Sequence, residues 1–347
     1  MVAMSGGVDS SVAAALLREA GHDVVGVTLK LWGGPSDSGC CSVSDVDDAR
    51  RVAHVIGIDH HVFNYTDEFE AAVVAPFIAD HAAGLTPNPC IECNRVIKFD
   101  LLFERAKRLG FDAVATGHHA QIESRNGQPH LIRSVDSLKD QSYVLGYLSA
   151  EALSMLLLPV GHLTKAEVRE HAERLGLRTW NKPDSQDVCF IEASAGREAF
   201  LSQRITLTPA RIRDRVTGNE LGTLPAAQLV TLGQRRGVAP GIDGERRFVA
   251  SVDVASGVVE VDRLENIMIN TVRLVPDSET FPYEPLVDGE VVVVQWSAHG
   301  RPAAVRYEAA THSLHSDTPM RPVAPGQSVV FYDPTNRYVR GAARVDR

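Results

Sequence analysis

The stretch Thr86–Asn94, TPNPCIECN, holds Cys90 and Cys93 three positions apart, stiffened by Pro87 and Pro89. A third cysteine, Cys189, lies far downstream in KPDSQDVCFI. Thiolates so placed can attack an electrophile or bind a metal. A strong zinc signature has two CxxC pairs at set spacing, and here there is one. Three thiolates, from Cys90, Cys93 and Cys189, are enough for a [4Fe–4S] cluster with one iron open. Adding Cys40 or Cys41 would complete a four-thiolate zinc set. Beside Phe190, Cys189 also reads simply as a buried thiol. Metal and nucleophile both stay open at this point.

A second group of residues points to phosphate. SGGVDS, Ser5–Ser10, follows a short apolar stretch and opens a helical pattern. Gly6 and Gly7 let the backbone approach phosphate oxygens. A helix N-terminus offers unpaired N–H groups and a positive dipole end, and Ser5, Ser10 and Ser11 add hydroxyl donors. Asp9 would repel bare phosphate, so Mg²⁺ between the two is expected. The GxxxxGK[ST] loop is absent, and with it the lysine that reaches the β- and γ-phosphates.

These groups need a scaffold. The chain has 347 residues, enough for two or three domains. Its 23% charged and 44% apolar residues place it among ordinary globular proteins. No apolar run reaches the roughly 18 residues of a membrane span, and no secretory signal pattern opens the chain. Five cysteines are too few and irregular for a disulfide scaffold, which fits a reducing cytoplasm. The net charge of −9 excludes a uniformly basic coat but not a local basic face. One candidate face is the segment 196–250, with Arg197, Arg204, Arg211, Arg213, Arg215, Arg235, Arg236, Arg246 and Arg247 against few acids. A plain solvated surface explains those arginines equally well.

The first half alternates strand and helix patterns. HDVVGVTLKLW reads as a buried strand, and SDVDDARRVAHVIG as a helix capped by Ser44. FEAAVVAPFIADHAAG reads as a helix bent or restarted at Pro76. RVIKFDLLFERAKRLG is a further helix, FDAVATGHH a strand, and Thr164 with Glu167 has capping-box spacing. Such alternation predicts an α/β fold with a parallel sheet and ligands at the carboxyl ends of its strands. Only Met1–Met4 precede the phosphate loop, so the first strand is expected to be very short, and a longer native N-terminus stays open. After about Ala195 two hairpins follow, turning at Thr217–Asn219 and Ala255–Gly257. Then come the short strands GEVVVVQWS, RPAAVRYEA and GQSVVFYD, of a small barrel or sandwich. The expected layout is a catalytic domain over 1–195, a small middle domain over 196–264, and a β-barrel-like domain over 265–347.

The loop resembles the PP-loop of ATP pyrophosphatases, which adenylate a substrate and release pyrophosphate. The resemblance then narrows. AMSGGVDSS, TPNPCIECNRVIKF, ATGHHA, KDQSYVL, DSQDVCFI, TLGQRRG and APGQSVVFY occur in the order seen in the bacterial tRNA-specific 2-thiouridylase family, over nearly the whole chain.

That resemblance implies an adenine nucleotide alpha-hydrolase-like sheet domain, ATP with Mg²⁺, and tRNA as the substrate, gripped at its anticodon arm by the middle and C-terminal domains. It implies that AMP transfer to oxygen 2 of the wobble uridine makes a leaving group, and that sulfur then attacks carbon 2. Cys189 would carry a persulfide from a sulfur-relay donor, and Cys93 would be the nucleophile that resolves it as a Cys93–Cys189 disulfide. Both thiols would then need partial exposure. Ala3, Met4, Ser5, Gly6, Gly7, Val8, Asp9, Ser10, Leu29 and Gly117 match ATP-contacting positions. Asn88, Pro89 and Cys90 match the stretch touching the target base. His118, Lys139, Asp140, Gln141 and Gln327 match tRNA contacts. The chain departs from the family in two places. Cys90 stands where some relatives have aspartate, which puts a proton-transfer role there in doubt. Gln295–Trp296 replaces a frequent arginine–tyrosine pair, leaving Trp296 to stack on a base. A cytoplasmic monomer is expected. Three alternatives remain: thiolation through an iron–sulfur cluster on Cys90, Cys93 and Cys189, a different PP-loop adenylating enzyme that amidates a small acid, and a non-catalytic RNA-binding module.

Overall fold

The computed structural model describes residues 1–32, 42–184, 188–191 and 196–347. In chain order the first half contains β1 (Val2–Ala3), α1 (Val8–Glu19), β2 (Val25–Lys30), α2 (Val43–Ile56) and β3 (Asp59–Asn64). Then follow α3 (Thr66–Phe69), α4 (Ala75–Ala82), α5 (Pro89–Glu92), α6 (Leu102–Arg108) and β4 (Val114–Thr116). A hairpin of β5 (Ala120–Arg125) and β6 (Gln128–Arg133) leads to α7 (Ala150–Met155), β7 (Leu156–Leu157) and α8 (Lys165–Arg174). Five of these strands make a parallel sheet in the order β3-β2-β1-β4-β7. The sheet is buried on both faces because its strands alternate inward residues between two cores. Val2 and Ala115 pack with Val12, Ala13, Ala14, Val52 and Val168 from α1, α2 and α8. Val27, Leu29 and Val114 pack on the other side with Phe69, Phe77, Ile97 and Phe103. The small residues of α1 let it lie close to the sheet.

The cap of one helix and the start of another differ from expectation. The cap of α2 is Ser42, not Ser44: the Ser42 hydroxyl accepts from Asp45 N–H, and the Asp45 carboxylate accepts from Ser42 N–H. Ser44 lies inside the first turn. At Pro76 the helix restarts, as expected. Glu70–Val74 is a π-helical turn, with Ala75 N–H bonded to the Glu70 carbonyl, and α4 begins with Pro76 in its first turn. A residue without an N–H fits there at no hydrogen-bond cost. The helix expected from Arg95 begins earlier, at α5, and runs through a π-helical stretch, Cys93–Leu101, into α6.

Beyond α9 (Gly196–Ser202) the structure turns to β. Strands β8 (Ala210–Asp214), β9 (Glu220–Leu224), β10 (Phe248–Asp253) and β11 (Val258–Asp262) form the two expected hairpins. A parallel β11–β8 pairing joins them into one sheet, which sequence alone did not suggest. Strands β12 (Ile269–Arg273), β13 (Val291–Gln295), β14 (Ala303–Glu308), β15 (Ser313–Met320), β16 (Ser328–Tyr332) and β17 (Val339–Arg344) make an antiparallel sheet ordered β12-β15-β14-β13-β16-β17. Its two edges meet: Val275 N–H donates to the Arg344 carbonyl at 2.8 Å and Asp346 N–H to Arg273 at 2.9 Å. This closure removes the exposed strand edges.

The last sheet also completes the first core. Val330, Tyr332, Val339 and Ala342 belong to the same buried cluster as Leu131, Tyr143 and Leu145. Arg133 fastens the junction, donating to Asp140 (2.6 Å), Gln295 (2.9 Å) and Asn336 (2.7 Å), with its guanidinium 3.7 Å above the Tyr332 ring.

In the middle sheet Arg247 and Asp214 form an ion pair whose side chains are both 0% exposed. Arg247 also donates to Asp243 and to the Glu245 carbonyl. Removing Asp214 leaves the buried Arg247 with Asp243 and the Glu245 carbonyl and without its fully buried partner. Asp214→Ala is therefore expected to destabilise this sheet by about 2–3 kcal/mol. Denaturant unfolding of the variant against the unaltered chain measures it.

Candidate active site

Strand order reverses between β1 and β4, since successive strands fill one side of β1 before β4 adds to the other. Parallel sheets hold their ligands in the crevice at such a reversal. SGGVDS leaves the carboxyl end of β1 there, and Gly117 leaves β4 beside it. The two turns touch. A Cβ on Gly117 would lie 2.4 Å from Ser10 N. Gly6 has φ +73°, and a Cβ there would lie 2.3 Å from the Asp45 carbonyl at the start of α2. Both positions therefore require glycine.

Gly7 caps α1 with no side-chain bond to the helix. The loop is braced from within: Ser5 N–H donates to Ser10 Oγ at 3.1 Å, and Ser11 Oγ donates to the Gly7 carbonyl at 2.7 Å. Met4 and Val8 are core residues, Ala3 lines the opposite face, and Leu29 is buried near the end of β2. The ATP-contacting positions expected from sequence thus gather at one crevice, several of them as its framework.

Charged residues surround this crevice, and of them Lys165, His119, Lys182, Asp45, Asp48, Asp184 and Arg169 were left unassigned by sequence reading. Lys165, the first residue of α8, donates to both Asp9 oxygens at 2.7 Å and lies 2.8 Å from Asp184 Oδ1. His119 Nε2 donates to Asp9 Oδ1 at 3.1 Å, and His119 is only 2% exposed. Lys182 donates to the Gly6 carbonyl (3.0 Å), Asp45 (2.7 Å) and Asp48 (2.7 Å). Lys139 and Arg169 complete the set by binding Asp184. Burial pushes the Asp9 carboxyl up, but the bonds from His119 and Lys165 win and hold it below its ordinary value. Burial likewise opposes ionisation of Asp184, yet the bonds from Lys139 and Lys165 bring it down to about 2. The only hint in sequence was position: Lys182 and Asp184 open the string that carries Cys189, and Lys165 follows a helix cap.

The cysteines border one apolar cluster. Cys93 is buried in it at the start of the π-helical stretch, and half-buried Cys189 packs against it. Phe190 anchors Cys189 there, its ring 5.3 Å from those of Phe77 and Phe200. The exposure expected of both thiols holds for Cys189 and not for Cys93, which faces inward beside Ile97. Cys90 is exposed. Asn88 accepts from Cys90 N–H and caps α5, with Pro89 buried in its first turn. Among the described residues no three His, Cys, Asp or Glu side chains are grouped closely enough to hold a metal ion. Cys90, Cys93 and Cys189 therefore do not stand as a cluster ligand set, and Cys40 and Cys41 lie outside the described residues. Asp9 faces the loop, but its oxygens are engaged by Lys165, so Mg²⁺ fits there only together with phosphate oxygens.

The expected RNA contacts divide. Half-buried Gln327 lies next to Gly326, whose added Cβ would sit 2.9 Å from Leu85 Cβ, and Thr86 N–H bonds the Pro325 carbonyl at 2.8 Å. This packing ties the turn before Gln327 to the turn before Asn88. Gln141 accepts from His119 N–H at 2.8 Å. His118 bonds Thr116, and burial keeps its imidazole well below the usual histidine pKa. Asp140 is turned inward instead, its side chain 8% exposed and bound to Arg133, Ser134 and Ser142. Gln295 is also enclosed, accepting from Arg133 and donating to Ser297 and Ala298.

A family model described as the tRNA methyl transferase HUP domain matches residues 1–193. The chain is 44% identical over 360 residues to a tRNA-specific 2-thiouridylase MnmA of Rhodococcus jostii, across 99% of this chain and 96% of that one. It is 43% identical over 378 residues to a tRNA-specific 2-thiouridylase MnmA of Roseiflexus sp., across 100% and 99% of the two chains. Among solved structures, the U34-tRNA thiolase NcsA from Methanococcus maripaludis with its [4Fe-4S] cluster is similar at a TM-score of 0.36 and 20% identity, over 54% of this chain and 60% of that chain, too loosely to carry an argument.

Two outcomes follow from this geometry. Gly117→Ala must displace the first turn of α1 and is expected to weaken ATP binding at least about tenfold, read by titration calorimetry. Asp184 stabilises the fold above the ordinary carboxylate pKa and loses that contribution as its own pKa is approached. The gap in melting temperature between the unaltered chain and Asp184→Asn is expected to be full near about pH 6 and to close as pH falls from about 4 to about 2.

Proposed function

The chain belongs to the tRNA-specific 2-thiouridylase family, and we propose that it uses ATP to activate the wobble uridine of tRNA and replaces its oxygen 2 by sulfur. It is a PP-loop enzyme that binds ATP and transfers sulfur to tRNA. One observation carries the detailed reading: a phosphate loop at the sheet's switch point shares its domain with two cysteines that border one apolar cluster. A phosphate loop with paired sulfur carriers suits thiolation, the activity in the full-length relatives' names, better than the methyl transfer in the domain description.

The sequence of bonds is as follows. Uridine oxygen 2 attacks the α-phosphorus of ATP, the α–β bond breaks, and pyrophosphate leaves. Asp9 would hold Mg²⁺ together with the phosphates, and the ion would supply charge neutralisation for that departure. The deprotonated terminal sulfur of a Cys189 persulfide attacks carbon 2, and AMP departs with the old oxygen. The Cys93 thiolate then attacks the Cys189 sulfur. A Cys93–Cys189 disulfide forms, the thiouridine sulfur leaves with the bonding electrons, and an external dithiol reduces the disulfide. A persulfide donor recharges Cys189. Cys93 is buried, so the segment Asn88–Cys90 must move as the base enters. The base itself must leave its stack to reach the crevice.

Asn88, Pro89, Cys90, His118, Gln141 and Gln327 form the rim that receives the RNA, and Lys139 and Asp140 hold that rim in place. The middle sheet, 196–264, and the barrel, 265–347, grip the anticodon arm. The protein works as a cytoplasmic monomer; among the described residues no helix is long and apolar enough to cross a membrane.

Cys189→Ser is expected to abolish sulfur incorporation into unmodified tRNA while ATP-dependent pyrophosphate release persists. Labelled-sulfur transfer and pyrophosphate assays measure the two halves. Thiolation surviving in the variant overturns the persulfide role. Stoichiometric iron and acid-labile sulfide, on protein purified without oxygen, would replace this route by a cluster-based one.

A further inference from the structure

The phosphate loop contains no lysine, yet two lysines far from it in sequence close on it. Lys165 reaches Asp9 from the N-terminus of α8, and Lys182 reaches the Gly6 carbonyl from the segment after α8. Their side chains are 12% and 30% exposed, so neither is a solvated surface lysine. Each ammonium has three hydrogen-bond donors. Those of Lys165 go to the two Asp9 oxygens and Asp184, and those of Lys182 go to Gly6, Asp45 and Asp48. Among the described residues, the carboxylates Asp9, Asp45, Asp48 and Asp184 around the loop thus face the cations Lys139, Lys165, Lys182 and Arg169.

Apart from the Mg²⁺ that accompanies ATP, each of these described cations is already committed to a carboxylate. The arriving phosphates must draw ammonium donors away from carboxylates, and Lys165 and Lys182 are the ammoniums bonded to the loop itself. We propose that Lys165 and Lys182 are the ligands of the β- and γ-phosphates of ATP, and that they hold the pyrophosphate as it leaves. Each exchanges a carboxylate partner for a phosphate oxygen when the nucleotide binds, supplying from outside the loop the contact its sequence lacks. Their carboxylates hold the ammoniums in place while the site is empty.

The assignment rests on the loop being an ATP site, and the test separates the two. Full-length protein with Mg²⁺ is titrated with ATP, AMP and inorganic pyrophosphate. Losing one charge-assisted bond costs roughly ten- to a hundredfold in affinity. Lys165→Met and Lys182→Met are each expected to lose that much for ATP and pyrophosphate and less than about threefold for AMP, which lacks both outer phosphates. Lys165→Arg and Lys182→Arg should restore part of the ATP affinity. An equal loss for ATP and AMP would show that the lysines only hold the loop in shape, and undiminished ATP affinity would show that they do not contact phosphate; either overturns the assignment. Should a methionine variant fail to fold, judged by circular dichroism, the glutamine variant at the same position is read by the same ratio of ATP to AMP loss. If the unaltered chain binds neither nucleotide, the ATP reading itself falls, and this assignment with it.

Discussion

Gly117 and the first turn of α1 share a space that admits no side chain. With a would-be Cβ 2.4 Å from Ser10 N, the turn after β4 lies directly against the loop after β1. Everything else at the site is arranged around that contact. It sets the crevice at the strand reversal, fixes how the N–H groups of α1 are presented, and leaves Asp9 where Lys165 and His119 can meet it. Gly6 repeats the constraint on the other side, where α2 abuts the loop. A phosphate site made by backbone approach depends on residues with nothing beyond Cα.

The charges around this frame come from separate stretches of chain. Asp9 belongs to α1, Asp45 and Asp48 to α2, Lys165 and Arg169 to α8. Lys182 and Asp184 lie just before Cys189. The stretch that leads to Cys189 is therefore tied at its start to the phosphate loop.

Much of this was readable from sequence, for identifiable reasons. Local rules worked where local forces decide: the Thr164–Glu167 capping box, the glycine turn before α1, and the hairpins at Thr217–Asn219 and Ala255–Gly257 all form. Ser44 was a misreading because Ser42 has the same chemistry and better spacing to Asp45. Strands β12, β15 and β17 were not anticipated. Their apolar residues alternate weakly, and long-range pairing, including closure of the barrel, makes them strands. The lysines at the loop were invisible because a lone Lys165 or Lys182 looks like any surface cation until the fold brings a carboxylate to it. Asp140 shows the opposite case, a motif residue whose side chain turns inward to bind Arg133.

The junction between the first domain and the barrel has a consequence for biogenesis. Val330, Tyr332, Val339 and Ala342 fill the cluster that also contains Leu131, Tyr143 and Leu145, and Tyr143 donates to the Ser328 carbonyl at 3.0 Å. Translation makes these partners nearly two hundred residues apart. While the ribosome is still building the barrel, the nascent ATP domain presents an unfinished apolar wall, of the kind that chaperones bind. The part of the enzyme that is synthesised first is the part that must wait for the last strands to be sealed.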